Sequence, residues 1–112
     1  MSAAAQLRRR LTLEARVAVP DGSGGFEVAW EALGLVWAEV EALAGGESFA
    51  GGRPWPRQRY RIVVRGAPIG APSRPRADQR FREGNRVLDI LSVAERDGEG
   101  WFLEILAEES KR

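Results

Sequence analysis

Alternating apolar and polar positions are the main signal along this chain of 112 residues. In residues 11–19 every odd position except one alanine carries a larger aliphatic side chain, which is the period-two pattern of a half-buried strand. Residues 20–25, PDGSGG, have the composition of a turn. Residues 26–33 form a shorter strand candidate, so the first two strands are predicted to make a hairpin.

Three later segments alternate in the same way: residues 35–43, 57–65 and 101–109. Between the last two, residues 79–93 are predicted to hold a short strand, a reverse turn at Glu83-Gly84-Asn85 and a longer strand. No helix of useful length is indicated, although the glycine-flanked segment after residue 43 is compatible with one helical turn.

These elements predict an all-β fold, a small antiparallel barrel or sandwich of six to seven strands with at most one short helix and long loops. The length fits a single domain over residues 1–112. Within it we expect an N-terminal arm at residues 1–9, a glycine-rich loop at 44–56 and a proline-rich loop at 66–77.

The composition excludes several classes of function, because the chain has no cysteine and no histidine. The first absence removes disulfides, thiolate zinc sites and cysteine nucleophiles. The second removes the commonest general base near neutral pH and the commonest metal ligand. We therefore expect no enzyme, no cofactor, no metal and no small-molecule substrate. No stretch approaches eighteen apolar residues, so no membrane partner is expected.

Charge is divided into blocks although the formal net charge is only +1. Residues 1–10 carry +3, residues 11–52 carry −6, residues 53–86 carry +8 and residues 87–112 carry −4. A basic block of this kind binds nucleic-acid phosphates, or meets an acidic patch on another protein, including another copy of the chain. A third interpretation is that the arginines only solvate one face of a strand.

Six pieces in order carry a family resemblance: RRRLTLEA, DGSGGFEVAWEAL, VWAEVEALAGGESF, YRIVVRG, LDILSV after an Arg-Phe strand and a Gly-Asn turn, and WFLEILAEE. Over residues 7–109 the chain resembles the head–tail adaptor, or stopper, family of head completion and head–tail joining proteins of tailed bacteriophages, which has counterparts in gene transfer agents. The sequence departs from the family in the glycines after Glu47 and in the prolines of residues 66–77.

The resemblance implies a non-catalytic β-barrel protein in the neck of a virion or phage-like particle, assembled in the bacterial cytoplasm. Such proteins form a ring beneath the portal of a filled capsid, join the head to the tail, and surround or gate the channel through which DNA leaves. The implied partners are other copies in a ring of six or twelve, a portal-side adaptor ring, tail-terminator or tail tube proteins, and double-stranded DNA in the channel.

The resemblance also places residues 44–56 at the segment that approaches the channel. Candidate channel-facing or DNA-facing residues are Arg53, Arg57, Gly45, Gly46 and Glu47. A channel needs no base readout, so arginines without a recognition helix suit it. The alternative for the two arginines is contact with acidic residues of a neighbouring subunit.

A second set of residues is expected at contacts between subunits. Arginines spaced by two on a rigid strand suit a fixed interface, because the guanidinium pairs bidentately with carboxylates. The candidates are Arg59, Arg61 and Arg65 on one side, and Glu27, Glu31, Glu39, Glu41 and Trp37 on the other. The alternative function is a free-standing nucleic-acid-binding β-barrel that uses the arginine-rich segment 53–86.

Overall fold

Eight strands make up the secondary structure of the residues that the structure describes. A computed structural model describes residues 5–43, 46–50 and 53–110, and it describes the side chains of residues 5–43 and 57–110. The strands are β1 (Arg9–Pro20), β2 (Phe26–Ala42), β3 (Gly46–Ala50), β4 (Arg53–Arg57), β5 (Arg59–Arg65), β6 (Arg80–Glu83), β7 (Arg86–Glu95) and β8 (Phe102–Glu109). The described residues contain no helix, and so none that is long and apolar enough to cross a membrane.

Six of the strands close into an antiparallel barrel in the order β1-β2-β5-β8-β7-β6. β3 and β4 pair with each other in a separate two-stranded sheet. The predicted all-β class with a six-stranded antiparallel sheet is therefore confirmed. Two of the predicted elements differ in detail, and each difference has a local cause.

The first difference is in β2, where two strands were predicted at residues 26–33 and 35–43. They form one strand of 17 residues. Its pairing with β1 passes from Leu13 opposite Gly34 to Glu14 opposite Ala32, which leaves one residue of β2 without a partner. This β-bulge bends the strand without ending it, and Gly34 accommodates the bend with a φ of 146°.

The second difference is the glycine-rich segment, where a loop was predicted and the β3–β4 hairpin is found. Pro54 and Pro56 lie opposite Phe49 and Glu47. Alternate residues of a strand direct their N–H groups to the same side, so both prolines are tolerated when that side faces away from the partner strand. The hairpin is held at its base, where the Leu43 N–H donates to the Arg59 carbonyl at 2.9 Å.

The core lies inside the barrel and follows the predicted alternation for most of the strands. Its buried side chains are Leu11, Leu13, Ala38, Ile62, Val64, Phe81, Leu88, Ile90, Leu103, Ile105 and Ala107. The alternation predicted for β1 is interrupted at Glu14, which is buried although it lies opposite Arg80 on the other face from Leu13. The valines that follow, Val17 and Val19, are only half-buried.

The proline-rich connection between β5 and β6 begins with a close backbone approach. The Gly66 N–H donates to the Trp101 carbonyl at 2.8 Å, and a Cβ at position 66 would lie 1.8 Å from the carbonyl oxygen of Gly100. Only glycine fits this contact, which ties the connection to the β7–β8 turn. The connection then turns at residues 69–74, where the Ala71 and Arg74 N–H groups donate to the carbonyls of Pro68 and Ala71.

Candidate functional site

A buried charged cluster lies at the seam where β1 meets β6. Arg80 Nε donates to Glu14 Oε1 at 2.7 Å, and Arg82 Nε lies 3.1 Å from Glu14 Oε2. Glu14 and Arg80 are both buried, and the Arg80 guanidinium lies over the Trp30 ring at 4.0 Å from its centroid. One carboxylate therefore pairs with two arginines of the basic block within the chain.

The arginines beside β5 are paired in the same way. Glu108 accepts from Arg57 Nη1 at 2.6 Å and from Arg59 Nε at 3.3 Å. Burial by itself raises the pKa of Glu108, but the hydrogen bonds and charges of the two arginines outweigh it and lower that pKa below its ordinary value. Arg57, a predicted channel residue, and Arg59, a predicted subunit contact, thus share a carboxylate of their own chain.

Arg61 lies between two acidic residues of the neighbouring strands. Its Nη1 donates to Glu41 Oε1 at 2.8 Å, and its Nε lies 3.4 Å from Glu104 Oε2. Arg61 is directly opposite Glu41 in the β2–β5 register, where side chains come close enough to pair. The pairing of Arg61 with Glu41 that was predicted between subunits is therefore present within one.

A fourth charged network links residues of β1, β5, β6, β7 and β8. Arg86 Nε donates to Glu109 Oε2 at 2.9 Å, and Tyr60 Oη donates to Glu109 Oε1 at 3.0 Å. Glu83 pairs with Arg9 and also lies 3.8 Å from Arg86. The Arg86 hydrogen bond lowers the pKa of Glu109, and the Arg9 hydrogen bond lowers that of Glu83. Burial raises the pKa of Tyr60.

Arg65 and Trp37, also predicted at subunit contacts, lie at the surface. The Arg65 guanidinium is 6.0 Å from the centroid of the Phe102 ring. Trp37 is 54% exposed, and the Arg10 guanidinium lies 5.7 Å from its ring centroid. Neither arginine forms an ion pair within residues 5–43 and 57–110, so both are available to an acidic partner.

The predicted acidic contacts divide into two groups. Glu27 and Glu31 are exposed near the β1–β2 turn, and no cation contacts either of them among the described side chains. Glu39 accepts from the Gln6 N–H at 3.1 Å and lies 3.8 Å from Arg96. Glu39 is thus engaged locally, while Glu27 and Glu31 are free to meet another molecule.

For four of the five predicted channel residues the structure describes no side chain. Gly45 lies outside the described residues, and only the backbone is described for Gly46, Glu47 and Arg53, which belong to β3 and β4. Their proposed role stays a prediction. Residues that sequence reasoning missed include Glu14, Glu104, Glu108 and Glu109, because their importance depends on which strands are neighbours. Among the described residues no group of three acidic side chains is placed to hold a metal ion.

The family profile of phage head completion proteins matches residues 3–110. The chain belongs to the phage head completion protein family. A chain in the structure of the virion of a native gene transfer agent particle is 49% identical, with a TM-score of 0.80 over 94% of this chain and 96% of that chain.

Protein SF1141 of Shigella flexneri 2a, solved in solution, is 24% identical with a TM-score of 0.69 over 99% of both chains, which shows a shared fold alone. No match to a curated protein is significant.

For this head completion protein, the buried seam pair predicts a large difference between two conservative variants. Glu14→Gln leaves Arg80 buried without its carboxylate and should lower the free energy of unfolding by about 3–5 kcal/mol. Glu41→Gln is the control, because the Arg61–Glu41 pair is exposed and contributes less than about 1 kcal/mol. Urea unfolding followed by tryptophan fluorescence measures both, and equal losses would contradict the special role of the seam.

Acid should destabilise the fold through the carboxylates with lowered pKa values. Glu83, Glu108 and Glu109 titrate below the ordinary glutamate value of 4.5 in the folded chain, so their contribution to stability is complete above that pH. It is lost as the pH falls through their folded pKa values. Urea midpoints measured across this range should decline at low pH, and Glu109→Gln should make that decline shallower. An unchanged decline in Glu109→Gln would show that this network does not govern acid stability.

Proposed function

We propose that this chain is a structural component of the neck of a phage or phage-like particle, where it joins the DNA-filled head to the tail. The observation that carries the proposal is the match to the head completion family over residues 3–110. The relative in a gene transfer agent virion, 49% identical over nearly its whole length, points in the same direction. Assembly in the bacterial cytoplasm, where capsids are filled, belongs to the same proposal.

The finer part of the proposal is a ring of six or twelve copies around the DNA channel, between a portal-side adaptor ring and the tail-terminator or tail tube proteins. In such a ring the β3–β4 hairpin is the element that approaches the channel. Its base is anchored to the barrel, because Gln58 Nε2 donates to the Leu43 carbonyl at 2.8 Å. Arg53 and Arg57 are the DNA-facing candidates. Two cations per copy suit a channel through which DNA must pass, because phosphate contacts need no base readout and a strongly attractive lining would hinder passage.

The alternative of a free-standing nucleic-acid binder is disfavoured by the ion pairs of the arginine-rich segment. Side chains are described for nine of its ten arginines, and seven of these lie within ion-pair distance of a carboxylate of the same chain. A guanidinium already paired with a carboxylate releases fewer counterions when it meets a phosphate. The segment is therefore better suited to holding the barrel together than to binding a nucleic-acid backbone.

Removing the chain from a producing bacterium tests this function. We expect heads that package DNA but do not join tails, counted by electron microscopy, together with a loss of nuclease-protected DNA in the particle fraction. Supplying the intact chain, or Glu41→Gln as the matched variant with a conserved fold, should restore tailed particles. Tailed particles at the parental level in the absence of the chain would rule out the proposed role.

A further inference from the structure

A two-stranded projection extends beyond the barrel. β1 pairs with β6 only at Thr12–Glu14, and β2 pairs with β5 only at Ala38–Ala42. Residues 15–20 and 26–31 therefore pair only with each other, and we call them the finger. Six residues of extended strand make it about 20 Å long. An isolated two-stranded hairpin is marginally stable in water. We therefore expect the finger to be stabilised by contact with another surface.

Both faces of the finger carry apolar side chains, whereas a hairpin that is exposed to water usually carries polar ones. Ala18, Pro20, Phe26 and Val28 share one face by their register, and Phe26 is 70% exposed and Val28 54% exposed. The opposite face carries valines and alanines between Glu27 and Glu31. Contiguous exposed apolar side chains beside charged ones are typical of a protein interface.

A groove on the same chain has matching properties. It runs between residues 33–37 of β2 and residues 64–73 after β5, as two adjoining cavities of about 430 and 250 Å³ that share Leu35, Val36 and Ser73. The larger one lies within the range of about 300–1,000 Å³ seen for binding clefts. Leu35, at 64% exposed, and Trp37 form its apolar wall.

The charges of the two surfaces are complementary. The groove lining contains Arg65 and no carboxylate, and Arg10 lies over the Trp37 ring in its wall. The finger carries two carboxylates, Glu27 and Glu31, against one arginine, Arg16, which lies on the same face as Phe26 and Val28. Neither the two carboxylates nor Arg10 and Arg65 are engaged in ion pairs among the described side chains. Opposite charges around an apolar contact orient the partners and exclude the reversed arrangement.

We propose that the finger of one copy inserts into the groove of the next copy. The finger cannot reach its own groove, because Val28 and Leu35 are seven residues apart on one strand, a separation of about 23 Å. The contact uses two different surfaces of each chain, so it is head-to-tail and closes into a ring when the rotation allows. The inference rests on the proposed function, since it specifies the contact that builds the ring.

Cysteine pairs test this contact directly, because the chain has no cysteine of its own. Val28→Cys with Leu35→Cys, introduced together in the particle-producing bacterium, should give a ladder of disulfide-linked multimers on a non-reducing gel of oxidised particles. A disulfide needs Cα atoms about 4.4–6.8 Å apart, so these two positions cannot link within one chain. The highest rung reports the number of copies in the ring.

The matched control is Val28→Cys with Leu91→Cys, since Leu91 is exposed on β7 away from the groove. Adding Phe26→Ser to the test pair should reduce linked product by about tenfold, because it removes a buried aromatic contact. Particles that contain the chain but show no ladder, or a ladder in the control pair instead, would overturn the inference and leave the neck function standing. Absence of the chain from tailed particles would overturn both.

Discussion

The ion pair of Glu14 with Arg80 holds together the shortest strand pairing of the barrel, between β1 and β6. The β1–β6 seam has only three residue pairs, and without it two strands would have open edges. Glu14 lies opposite Arg80 in the β1–β6 register, where it is buried and pairs with both Arg80 and Arg82. A hydrophobic pair of the same volume could be as stable, but a buried carboxylate between two arginines also specifies which residues of β1 and β6 are opposite. Barrel closure and register therefore depend on the same contact.

Ion pairs between neighbouring strands also occur elsewhere around the barrel. They explain why the basic and acidic blocks of the sequence do not form separate basic and acidic faces on the barrel. The strand order places β5, the most basic strand, between β2 and β8, which carry Glu41, Glu104 and Glu108. Ion pairs between neighbouring strands use up most of the basic block inside the chain. The charged side chains without an ion pair among the described residues include Arg10 and Arg65 at the groove and Glu27 and Glu31 on the finger, where apolar side chains are also exposed. In the proposed ring, assembly depends on shape and apolar contact, with charge selecting the orientation.

Much of this fold could be predicted from the alternation of side chains. The core faces of residues 35–43 and 57–65 are as predicted, with Ala38 and Ile62 buried. In residues 101–109 the predicted face is buried at Leu103, Ile105 and Ala107, whereas Trp101 is 65% exposed. The burial of Glu14 could not be predicted, because it depends on Arg80 and Arg82 of β6, which are neighbours in space and not in sequence. The β3–β4 hairpin was missed because glycine and proline usually mark loops. Apart from Glu41, the partners of the arginines were missed because β5 and β8 are neighbours in space and not in sequence.

The central claim is that the arginine-rich segment serves the barrel and its assembly and does not bind nucleic acid by itself. The most direct test is the affinity of the purified chain for a labelled DNA duplex, measured by fluorescence anisotropy between about 50 and 200 mM salt. The account predicts weak binding across this range, with little dependence on salt. Tight binding at low salt that falls steeply as salt rises would contradict it, because it would show arginines that release counterions from DNA.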